Sequence, residues 1–270
     1  MKNNLDSLYF QEHPFFEKCP HCDAALMEHA RYCGQCGNSM NHPAETSPLN
    51  GSDMHTQKTP WQLISRAIGL WVVLLSINGV LGLIGHAIDL SSPYYDLGAE
   101  ILSAFLILAV FSDSGIVITP LIRNWGFKGL GSFIGIIAGL LFMYMFMWLY
   151  FKLALSIGIE QISYLSDFKK HHWPLWSAFV LLCLFPGIFE ELAFRGFIMT
   201  SLEKVGSPRE ALVIQAAMFS ILHMLPTIFI SHFVMGMVLG VIRQRSRSLY
   251  PGMFFHIAWN AIVLLEEIWI

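Results

Sequence analysis

WPLWSAFVLLCLFPGIFEELAFRGFIMTSLEK, residues 173–204, is an apolar run with two glutamates and an arginine set into its middle. A helix crosses the hydrocarbon of a bilayer in roughly 20 residues, so this run predicts a tilted or protruding span whose second half is amphipathic. Working outward, further apolar runs lie near 64–86, 99–120, 131–151, 209–225, 228–243 and 250–268. Together they predict an all-α polytopic membrane protein with about seven transmembrane helices.

The composition agrees. Of 270 residues, 55% are hydrophobic and 13% charged, against roughly 25% charged in an ordinary soluble domain. A net charge of -3 supplies none of the clustered cations that phosphate backbones demand, so nucleic acid is not an expected partner. The bilayer is. No internal repeat is visible in the apolar half, which argues against a transporter built from repeated halves.

Orientation follows from lysine and arginine in short loops, which favour the cytosolic side. Lys58 and Arg66, Arg123 and Lys128, and Arg243, Arg245 and Arg247 fall inside by alternation, and the loop 91–100 has neither residue type. Lys152, Lys169 and Lys170 then fall outside, against the rule. The N-terminus is expected in the cytosol, because its polar opening, broken by Pro14, lacks the apolar region of a secretory signal.

Residues 1–40 read as a separate module, 41–60 as a flexible linker rich in Pro, Ser, Thr and Asn, and 61–270 as the membrane domain. The module holds Cys19-Pro-His-Cys22 and Cys33-Gly-Gln-Cys36, with ten residues between the pairs. Two such pairs place four thiolates around one structural zinc, and the turn inside each pair aims backbone amides at the sulfurs. A redox Cys-x2-Cys would need a thioredoxin-like strand–helix setting that these residues do not provide. Residues 19–37 resemble the short zinc ribbons at the N-termini of many bacterial membrane proteins, which suggests a docking role toward a cytosolic protein. Cys183, inside an apolar run, reads as a small packed hydrophobe.

Ionisable residues within apolar spans are costly and mark function. On a helix, Glu191 and Arg195 stand at i and i+4, in ion-pairing range, while Glu190 points about 100° away. Arg195 therefore holds Glu191 as a charged partner, and unpaired Glu190 is suited to carry a proton. Phe219 and His223, and His256 and Asn260, are also spaced i to i+4, so each pair shares a face. One histidine in an apolar span is usually a packed residue. Three segments supplying Glu, His, His and Asn together are not. His171, His172, His86 and His232 read as interfacial or packed residues, and the methionines of 140–149 and 218–237 as packing.

In this order EExxxR, FxxxH and HxxxN resemble the motifs of the CAAX-protease and bacteriocin-processing (CPBP, or Abi) family of intramembrane proteases, over about residues 175–265. The resemblance implies that Glu190 and His223 activate an attacking water, that His256 and Asn260 stabilise the oxyanion, and that Glu191 and Arg195 complete the first motif. It implies a multi-pass protein, here expected in a bacterial cytoplasmic membrane, cleaving a membrane-associated protein or peptide.

Two chemistries stay open. Glu190, His223 and His256 could hold a catalytic divalent metal, as a zinc site with water in the fourth position, or Glu190 could act as base without one. A scaffold or bacteriocin self-immunity protein retaining the motif residues is the non-enzymatic alternative. One geometric condition attaches to the shared site. His256 is about 9 Å into its span and His223 about 21 Å beyond Arg209 at the helical rise, so tilted helices must bring them to one depth.

Overall fold

The computed structural model describes residues 18–19, 21–23, 59–87, 93–114, 121–122, 124–127, 129–159 and 163–269. The chain divides into two units, Met1–Trp61 and Gln62–Ile270. Among the described residues of the second unit every regular element is helical. The helices are α1 (Pro60–Ala87), α2 (Pro93–Ser114), α3 (Leu130–Ser156), the short α4 (Ser166–Lys170), the composite α5 (Leu175–Leu202), α6 (Pro208–Leu222), α7 (Phe229–Ser246) and α8 (Tyr250–Trp269).

Local chemistry sets several of these ends. The Ser207 hydroxyl accepts a hydrogen bond from the Glu210 amide while the Glu210 carboxylate accepts one from the Ser207 amide, a capping box with Pro208 in the first turn of α6. Arg247, at φ 52°, takes the left-handed position that stops α7. α2 begins six residues before its expected span, at Pro93, because proline's fixed φ suits a first helical position.

Among the described residues four stretches are long and apolar enough to cross a membrane: Pro60–Ile84, Leu130–Ser156, Leu175–Leu202 and Pro226–Ser246. They make this an integral membrane protein, and α3 turns Phe133, Ile134, Ile137, Leu141 and Met145 outward as a lipid-facing surface should. Among the described residues two other expected spans, both helical, fall short of that standard: α6 has 15 residues, about 22 Å of helix, and α8 carries Glu266 and Glu267 near its end.

The core is built around α5. One buried cluster joins α5 (Phe194, Phe197, Ile198) to α1 (Leu63, Leu70, Leu74) and α6 (Phe219, Leu222), and Trp71 Nε1 ties α1 to the Met218 carbonyl at 2.8 Å. A second joins Met143 and Met147 of α3 to Met235 and Leu239 of α7 and to Phe255 and Trp259 of α8, so these methionines pack helices together. Cys183 is fully buried in a third apolar cluster.

α6 and α7 lie unusually close. Gly236 and Gly240, one turn apart on α7, leave no room for side chains: a Cβ on Gly236 would sit 2.9 Å from Ala216 Cα, and one on Gly240 2.4 Å from Leu212 Cδ1. Small residues at this spacing let membrane helices approach to backbone contact. The approach also brings the Gly236 carbonyl to the Gln215 amide at 2.9 Å. Gly236→Val is expected to lower the melting temperature in detergent by separating α6 from α7. Gly69→Val, on a position with nothing within 4 Å of its Cβ, is expected to leave it unchanged.

Candidate active site

α5 is not a uniform α-helix. Val180–Leu184 and Glu191–Ile198 are π-helical turns, a feature that concentrates at functional sites. The first has a clear cause in Pro186. Proline lacks an amide hydrogen and its ring displaces the carbonyl four residues earlier, here that of Leu182. Asn260 of α8 donates its side-chain amide to that carbonyl at 2.9 Å. A backbone acceptor that lipid could not satisfy thus gets its partner from another helix.

The second π turn carries the acidic motif. Glu191 Oε1 accepts from Arg195 Nη1 at 2.8 Å and from His256 Nδ1 at 3.1 Å, and the Glu191 and Arg195 side chains are both 0% exposed. The Arg195 guanidinium lies over the Phe219 ring, 4.5 Å from its centroid, and reaches the Gly236 carbonyl at 3.4 Å. Glu190 faces the other nitrogen of the same imidazole, with Oε2 3.8 Å from His256 Nε2, and its side chain keeps 23% exposure. The two adjacent carboxylates therefore differ: one is fully enclosed and doubly bonded, the other partly exposed, with an Oε2 that has no hydrogen-bond partner among the described residues.

α8 delivers its residues as one stripe. Gly252, His256 and Asn260, successive turns on a single face, meet Glu191, both glutamates and the Leu182 carbonyl in turn. Gly252 is required by contact, since a Cβ there would lie 2.8 Å from Glu191 Oε2. The start of α8 is fixed by the segment 124–127, where Asn124 Nδ2 donates to the Ser246 and Arg247 carbonyls at 3.0 and 3.1 Å.

His223 ends α6, its Nδ1 2.9 Å from the Phe219 carbonyl. The depth condition is met in part. The rings of His223 and His256 both pack on Phe219, at centroid distances of 5.0 and 6.0 Å, but no hydrogen bond joins His223 to His256 or Glu190 among the described residues. His223 instead stacks near His232, centroids 4.0 Å apart. The sequence reading of His232 as a packed residue did not foresee this stacking, because the helix reversal that brings it there leaves no spacing signal. Sequence reading missed Gly252 and Gly236, whose role is to be absent from a contact.

The arrangement bears on metals. A zinc ion needs its nitrogen and oxygen donors at roughly 2.0–2.2 Å from one point. Glu190 and His256 face each other, but among the described residues no three His, Cys, Asp or Glu side chains stand together as a metal-holding group. The membrane trio does not fit a three-ligand site in this arrangement. In the N-terminal module, Cys19 is buried and its Sγ lies 3.4 Å from the His21 amide, while the Asp23 amide bonds the Cys19 carbonyl at 2.9 Å. That is an amide-to-sulfur turn of the kind a zinc knuckle uses. Cys33 and Cys36 lie outside the described residues.

Residues 172–262 match the family model for type II CAAX prenyl endopeptidases, Rce1-like. The match runs from the lead-in to α5 into the later turns of α8 and includes all six motif residues. Neither a curated protein nor a solved structure matches the chain.

Removing one partner of a buried ion pair costs about 3–5 kcal/mol, because the other charge is stranded. Arg195→Met is therefore expected to lower the melting temperature sharply, and the double variant Glu191→Leu, Arg195→Met to recover much of the loss, read by thermal unfolding in detergent.

Proposed function

We propose that the chain is an intramembrane endopeptidase, similar to the CAAX prenyl proteases, that hydrolyses a peptide bond of a membrane-associated protein or peptide. The observation that carries this reading is the single imidazole of His256 set between an enclosed, arginine-paired carboxylate and an open one, inside the segment that matches the endopeptidase model. All seven long helices would then lie in the bilayer, with the N-terminal module and the Arg243–Arg247 loop on the cytosolic side.

In this mechanism Arg195 pairs with Glu191, and Glu191 orients His256 by accepting from its Nδ1. An imidazole held so can present a second N–H from Nε2 to the oxyanion that develops at the scissile carbonyl, a preorganised donor in a site with little water. Asn260, committed in part to the Leu182 carbonyl, holds α8 in register against α5 and so positions His256. Glu190 and His223 handle the proton. Water adds across the amide: its oxygen bonds to the carbonyl carbon, the carbon–nitrogen bond breaks, and one proton reaches the leaving nitrogen. No covalent enzyme intermediate is involved.

The N-terminal module is a zinc ribbon in this reading, with Cys19, Cys22, Cys33 and Cys36 as ligands. Its chemistry is structural: four thiolates hold a segment too small to bury its own core. On the cytosolic side it is placed to meet a protein partner. Cys33→Ser is expected to lose about one zinc per chain by elemental mass spectrometry, with the melting transition of the membrane unit unchanged.

The function itself is tested by comparing membrane-protein termini, by mass spectrometry, in cells expressing wild type or Glu190→Gln at equal level. New termini confined to wild type are expected. Identical profiles, with the protein's biological role intact in the variant, would replace the protease with the scaffold reading.

A further inference from the structure

His223 ends α6 and His232 lies in the first turn of α7. The chain between them, through Met224 at φ 55° and a 3₁₀ turn at Pro226–Ile228, folds one ring onto the other. The centroids are 4.0 Å apart and the planes cross at 47°. His223 Nδ1 lies 2.9 Å from the Phe219 carbonyl oxygen, and His232 Nδ1 3.0 Å from that of Ile228. A carbonyl oxygen only accepts, so in both rings Nδ1 carries the hydrogen.

At His232 the assignment is fixed twice. Ser231 Oγ donates to the Ile228 carbonyl at 2.7 Å, so at 3.2 Å from the ring it accepts from Nδ1. Two neutral imidazoles held this way both keep their lone pair on Nε2. Among the described residues neither Nε2 has a protein donor, and both rings are partly exposed. A phenylalanine would pack on His223 as well as His232 does. What the imidazole adds is an acceptor that lacks a protein donor, and a partly exposed acceptor of that kind is ordinarily met by water.

We infer that the two Nε2 atoms form a double acceptor for one water molecule, and that His232 is thereby a further residue of the hydrolytic site. A water giving both hydrogens to imidazole lone pairs turns its own lone pairs outward, the orientation an attacking nucleophile needs. As its oxygen bonds to the carbonyl carbon, one of the two held hydrogens passes to an Nε2. The inference rests on the endopeptidase reading and names the side chains that hold its water. The other ionisable groups around the pair are His256 of α8 and Arg195 of α5.

The test uses the full chain and three substitutions at His232. Asparagine keeps a donor for the Ile228 carbonyl but has nothing at the Nε2 position; glutamine reaches that position with an acceptor oxygen; phenylalanine keeps only the ring. The expected result is that His232→Asn and His232→Phe cut the Glu190-dependent termini about 100-fold, while His232→Gln stays within about 10-fold of wild type, with similar melting temperatures. Nitrogen-15 histidine spectra of the wild type are expected to show Nε2 bare in both rings. Full activity in the asparagine variant, or equal losses in all three that follow the melting temperature, would assign His232 to packing. Protonated Nε2 in either ring overturns the double acceptor directly. Absence of Glu190-dependent termini in wild type, with both Nε2 bare, would instead sink the endopeptidase reading and the nucleophilic role of the water with it.

Discussion

The rest of the molecule is arranged around an ion pair that has no access to water. Glu191 and Arg195 face each other at 2.8 Å with both side chains fully enclosed. Such a pair is tolerable only when its remaining polar atoms find partners. Three helices contribute: α7 offers the Gly236 carbonyl, α6 the face of Phe219, and α8 the Nδ1 of His256. Each contact fixes a neighbour's position, so satisfying the pair and assembling the site are the same act. Even so, Glu191 Oε2 and Arg195 Nε remain without protein partners among the described residues, which marks the site as held together by geometry under constraint and not by surplus attraction.

Much of this was legible in the sequence. The helical stretches follow from length and apolarity, the α6 start from Ser207-Pro-x-Glu210, and the Glu191–Arg195 pairing from i, i+4 spacing. What could not be read is what happens between helices. The i, i+4 rule says that His256 and Asn260 share a face, but not that one meets two carboxylates while the other repairs a proline's break in α5. His223 and Glu190 share motif status, yet His223 packs against Phe219 and His232 while Glu190 faces His256. The approach of α6 and α7 depends on Gly236 and Gly240, and a missing side chain announces nothing until its neighbour is known.

Phe219 shows how one residue can serve packing and chemistry at once. Its ring is fully buried and touches Arg195, His223, His232 and His256, and its carbonyl fixes the tautomer of His223. An aromatic face presents partial negative charge to the guanidinium while excluding water from its flank.

The dependence of α5 on α8 also bears on how the chain is made. During synthesis α5 leaves the ribosome well before α8. At that stage it carries two glutamates, an arginine and an unsatisfied Leu182 carbonyl with neither His256 nor Asn260 to meet them. Lipid cannot meet them either. α5 is thus a poor tenant of the bilayer until α8, the last helix described, arrives to meet its polar groups.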